Sequence, residues 1–214
     1  MNEEQAVLDF FAREENLPLG LAVADQMDAL REQMNSRLWR ELRERLVTSF
    51  GSHGLDWQVE LTEDKNATES LVGLHCDLRP MPPQEVSLRP MMEQQYLGGV
   101  WRIYFGLMWS AAPSPEHLAS AAVCSLKESL LQAGFKNNAG FLAWQWTRFH
   151  PRRKDFLMRY AREPETLLGE IEAIMNALVT DHRNAIDAAN SALRSVPRST
   201  AISLERLRSK RDSE

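Results

Sequence analysis

Two cysteines in 214 residues, Cys76 and Cys124, are too few for a disulfide framework and lack the four-ligand spacing of a structural zinc site. No run approaches the ~20 apolar residues that span a bilayer. The N-terminal Met-Asn-Glu-Glu places acids where a signal peptide starts basic, so a soluble cytoplasmic chain is expected. GxSxG, GxxxxGK and GxGxxG are all missing, which removes the nucleophile elbow and the phosphate-cradling loops. The histidines, His53, His75, His117, His150 and His182, include no HxH or HExxH pair. The expectation is a non-enzymatic protein with no metal and no cofactor. A net charge of -5 and a pI near 5.6 provide no global attraction for nucleic acid or anionic lipid; any such contact must be a local patch.

What is present reads as α+β: a small antiparallel sheet of about three to five strands packed against long N- and C-terminal helices. Residues 1–194 are expected to form one domain, helical over 1–50, sheet over 55–110 and helical over 114–194, followed by a flexible tail at 195–214. A short helix over 3–13 ends at Asn16-Leu17-Pro18. From Leu21 to Phe50, Val23, Met27, Leu30, Met34, Leu38, Leu42 and Leu46 recur at steps of three or four and form one stripe. Trp57, Val59 and Leu61 then alternate with polar residues, as do Val72, Leu74, Cys76 and Leu78. That alternation makes Cys76 a small buried hydrophobe. Trp101 to Trp109 repeats the pattern, and Glu85 to Arg89 could add a short strand, although Pro90 argues against a central position for it. Ser114-Pro115 caps a helix that runs to Gly134, and Pro164 opens a last helix reaching Leu193 on one apolar stripe.

Two local features carry possible chemistry. Glu63-Asp64-Lys65 with Asp56 resembles the donor set of a Mg²⁺ nuclease in residue type, but a polar hairpin tip accounts for the same residues. The second is the aromatic and basic segment 141–162, positive on a negative chain. There Trp144, Trp146, Arg148, Arg152, Arg153, Lys154, Arg159 and Arg162 combine cations with stacking surfaces. They are the candidate site for nucleic acid or a protein partner, with charge reversal at Arg152, Arg153 and Lys154 expected to abolish nucleic-acid binding. The competing reading has the tryptophans anchoring a core while the arginines pair with acidic helix faces.

Glu15-Asn16-Leu17-Pro18, Leu38-Trp39, Tyr104-Phe105-Gly106, Trp144-Gln145-Trp146, Pro164-Glu165-Thr166-Leu167 and Ala185 to Asn190 together resemble a region of bacterial and phage proteins of the PD-(D/E)XK nuclease superfamily. The matching region follows their catalytic core, whose Asp and Glu-x-Lys have no counterpart in the match. The resemblance therefore implies an accessory, non-catalytic module linked to restriction or phage conflict. A protein-interaction factor of immunity, antitoxin or anti-defence type is the alternative, and a diverged metal-dependent nuclease the second alternative. The two long striped helices also allow a homo-oligomer.

Overall fold

The computed structural model describes residues 3–55, 57–64, 67–78 and 85–196. Most of the expected tail, and Pro80 to Pro83, lie outside these. In chain order the described elements are α1 (Glu3–Phe11), α2 (Leu17–Ser52), β1 (Trp57–Asp64), β2 (Ala67–Leu78), β3 (Leu88–Leu97), β4 (Val100–Trp109), α3 (Pro115–Leu118), α4 (Ala121–Gln132), β5 (Phe141–Trp146), α5 (Lys154–Arg162), α6 (Pro164–Asp181) and α7 (Arg183–Arg194). The strands form one antiparallel sheet in the order β1-β2-β3-β4-β5. The chain is α+β.

The core lies on one face of this sheet. Val59, Leu74, Met92, Ile103 and Leu107 point inward and are closed over by Trp39, Leu42 and Leu46 of α2, Leu126 of α4, Ile171 and Met175 of α6, and Ile186 of α7. Burial in α2 begins only at Asn35, so the N-terminal half of this 36-residue helix does not enter the core. Gly98 and Gly99 connect β3 to β4 with φ of 59° and 87°. Both residues of a tight hairpin turn need this left-handed backbone, which glycine adopts without a Cβ clash.

Pro90 sits in the middle strand of the sheet, opposite Leu107, where it was not expected. The β2–β3 ladder ends at His75↔Met91, one residue before it. The Leu88 N–H and C=O, on the same lateral side of the strand as the Pro90 nitrogen, are taken up by Asn190 instead of by β2. Proline therefore costs no ladder bond, because α7 supplies the neighbour there.

The last helix is also divided. At His182 the backbone leaves helical geometry (φ -111°, ψ 10°) and α7 starts at Arg183. The apolar stripe continues through the break, with Leu178, Val179, Ile186 and Leu193 all buried, so its periodicity alone does not reveal it. The break frees α7 to pack against α4 and β3 and to bring Asn190 to Leu88. The expected helix ending at Gly134 is likewise two pieces, α3 and α4. Ser114 and His117 make a reciprocal capping box on the first.

Candidate functional site

The outer face of the sheet carries a second cluster, built among the described residues from strand side chains alone. Antiparallel register sets Tyr104 opposite Glu93 on one side and Trp146 on the other, with Gly106 opposite Trp144 and Met108 opposite Phe141. Met91, Met108 and Phe141 are buried beneath half-buried Tyr104 and Trp144. The rings meet edge to face: Tyr104 lies 5.8 Å from Phe141, 6.3 Å from Trp144 and 5.5 Å from Trp146, and the two tryptophans are 5.5 Å apart. The Tyr104 hydroxyl donates to Glu93 at 2.7 Å, which fixes the ring at the centre of the group.

Two cations flank these rings. The Arg102 guanidinium lies 5.5 Å from the Trp146 ring centre and donates to the Thr147 carbonyl, while the Lys136 ammonium lies 5.8 Å from Trp144. Lys136 is held there by a two-bond bridge to the Trp144 backbone, 2.8 and 2.7 Å, which also covers that part of the β5 edge. No family model matches the sequence, and neither a curated protein nor a solved structure matches the chain.

The structure divides the candidate residues read from the sequence. Trp144 and Trp146 stand on the outer face. Arg152 stacks 4.5 Å from the Trp101 ring centre and pairs with Glu32 of α2 at 2.6 Å; Trp101 shares the inward alternation of Ile103, so this contact is across the sheet from the Trp146 ring. Arg148 and Arg159 both bind Glu170 of α6, and Arg153 pairs with Asp155 at 3.1 Å. Lys154 and Arg162 are exposed at the two ends of α5. Much of the positive segment thus clamps α5 and the β5–α5 connection to α2 and α6. Arg102, Tyr104 and Lys136 were not among the candidate site residues read from the sequence, yet the outward alternation of β4 carried the signal for the first two.

The double contact to Arg159 and Arg148 holds the Glu170 carboxyl at about 2. A carboxylate depressed in this way contributes stability above its unfolded value near 4.5, and the contribution disappears as pH falls toward 2. Glu170 is partly exposed, so solvent screens the gain. Urea midpoints should therefore fall over this acid window, and Glu170→Gln should flatten that part of the profile; an unchanged slope would count against the clamp.

Further along the same face, His75 Nε2 lies 3.2 Å from Asp77, and Arg89 lies 3.4 Å from the other carboxylate oxygen. Burial pushes the Asp77 carboxyl up, but the His75 hydrogen bond and the Arg89 charge outweigh it and hold the group below its ordinary value. Among the described residues no group of three His, Cys, Asp or Glu could hold a metal. Glu63 is exposed on β1, while Asp56 and Lys65 lie outside the described residues. Cys76 is fully enclosed, and burial raises its thiol far above the ordinary range. No described helix is long and apolar enough to cross a membrane.

Proposed function

We propose that the protein is a non-enzymatic binding module that takes an unpaired nucleic-acid strand on its outer sheet face. The observation that carries this is the row Tyr104, Trp144 and Trp146, partly open to solvent, with Arg102 and Lys136 beside the rings. A base gains roughly 1–3 kcal/mol by stacking on such a ring, and it does so with little sequence preference. The cations supply phosphate contacts, but few of them, since Arg148, Arg152 and Arg159 are committed to acids. An accessory role in restriction or phage conflict rests on the sequence resemblance.

Fluorescence anisotropy with labelled single-stranded DNA and RNA tests the proposal. With about two to three phosphates neutralised, log affinity should fall against log salt with a slope of only about -1.5 to -2. Trp146→Ala and Arg102→Glu should each weaken binding by roughly tenfold or more, while charge reversal at Arg153 and Lys154 should leave it unchanged. Lack of binding at low salt would defeat the proposal. A second reading, a protein-interaction factor, is favoured by the exposed apolar side chains of α1 and the first half of α2.

A further inference from the structure

At ~1.5 Å per residue, α2 is about 54 Å long. Only its C-terminal half is packed on the sheet. The first half, together with α1, forms an arm: α1 has no buried residue and folds back on α2 through Phe11, whose ring lies against Gly20 closely enough to leave no room for a Cβ. Leu19, Val23 and Leu30 of α2 and Val7, Leu8 and Phe10 of α1 remain between 46% and 63% exposed. Single exposed leucines are ordinary on a protein surface, but a continuous stripe is not.

The arrangement around that stripe restricts what can cover it. Leu19, Val23, Met27 and Leu30 follow one line at steps of four, four and three, and Met34, next along it, already packs against the core. The positions beside the line are Ala22, Ala24, Gln26, Ala29, Arg31 and Gln33, with Gly20 already covered by Phe11; all but Arg31 are small or uncharged, so another helix can approach closely. Asp25, Asp28 and Glu32 lie on the opposite side of α2. The arm carries eight acids against two arginines over residues 3–32; the three on α2 are directed away from its apolar line, while Glu3 and Glu4 share the α1 face of Val7, Leu8 and Phe10. Along α2 a cationic partner would find no acids at the contact; an identical arm would meet an identical apolar line.

The area is also sufficient. With six or more half-open apolar side chains at roughly 100 Å² each, two copies would remove about 1,200–1,600 Å² from water, the size of a stable protein interface. We infer that the α1–α2 arm is a homodimerisation surface: two arms pair about a two-fold axis into a four-helix bundle, with the two sheet domains held apart from it. This surface is separate from the outer sheet face, so the dimer stands or falls independently of nucleic-acid binding.

Sedimentation equilibrium of the full chain tests the inference. Mass should rise from 24.5 kDa toward twice that value as concentration increases to about 100 µM. Association should tighten with salt, because screening relieves the repulsion between two acidic arms, whereas nucleic-acid binding must weaken. The combined variant Leu19→Glu, Val23→Glu and Leu30→Glu should dimerise roughly 100-fold or more weakly. Its urea midpoint for the sheet domain should not change, since none of the three residues touches the core. A chain that remains monomeric, a dimer that survives the triple variant, or an arm that binds only an added cationic amphipathic peptide or neutral phosphatidylcholine vesicles would each overturn the inference.

Discussion

Asn190→Leu should lower the free energy of unfolding by about 3–5 kcal/mol, among the largest losses available from one polar substitution in this chain. Asn190 is buried on α7 and makes two bonds to a single strand residue: its side-chain oxygen accepts from the Leu88 N–H at 2.7 Å, and its amide donates to the Leu88 carbonyl at 3.0 Å. It performs the work of a missing neighbouring strand. Leucine has a similar volume, so little of the effect comes from packing; two buried backbone groups lose their partners, at about 1–3 kcal/mol each. Urea denaturation at constant m value measures this. Asn190→Asp offers a sharper check. Ionised, it keeps an acceptor but sets a carboxylate against the Leu88 carbonyl; protonated, it can both donate and accept. Burial raises its pKa above the unfolded value, so the variant should regain stability relative to the parent as pH falls through that raised value. Failure to regain any would mean that Asn190 acts by shape alone.

Gly106→Ala should cost about 3 kcal/mol and remove nucleic-acid binding together with it. A Cβ at Gly106 would lie 2.1 Å from the Ala143 carbonyl oxygen and 2.7 Å from the Trp144 Cα. Both are backbone atoms, so no rotamer change relieves the contact, and β5 must move away from β4. β5 carries Trp144 and Trp146, so the aromatic row would separate from Tyr104. Alanine also restricts the unfolded chain, but that gain of about 0.4–1 kcal/mol is too small to compensate. Gly51→Ala is the matching control: nothing lies within 4 Å of its Cβ position, and in the last turn of α2 the substitution should be neutral or slightly stabilising. Equal effects at the two glycines would sink the steric argument.

The C-terminal half of α2 and the strands around 57–62 and 72–78 were legible because each buries one face and leaves the other wetter, which writes a period into the sequence; 101–109 was legible from its alternation of large inner residues with Arg102, Tyr104 and Gly106, although both its faces are buried over 105–109. β5 was not legible. Its inner face joins the main core through Leu142 and Ala143, its outer face joins the aromatic cluster through Phe141 and Trp144, and a register shift at Leu107/Met108 interrupts the alternation. A strand buried on both sides has no polar phase to read. The expectation against a central position for Pro90 failed for a related reason: the proline rule concerns the bond it cannot make, and only the position of Asn190, 102 residues away along the chain from Leu88, shows that no bond was required there.

The candidate site divides along the same line. Composition by itself determined that residues 141–162 unite rings and cations against the trend of the chain. It could not determine which cations face which rings, because that depends on strand parity and on acids contributed from distant elements. Glu32 and Glu170 take Arg152, Arg148 and Arg159, while Arg102 and Lys136 come to the tryptophans from other strands and turns. Local pattern and charge belong to the sequence because they depend on neighbours a few residues apart. The aromatic face, the Asn190 clamp and the free arm belong to the tertiary structure, because each depends on what long-range packing covers and what it leaves open.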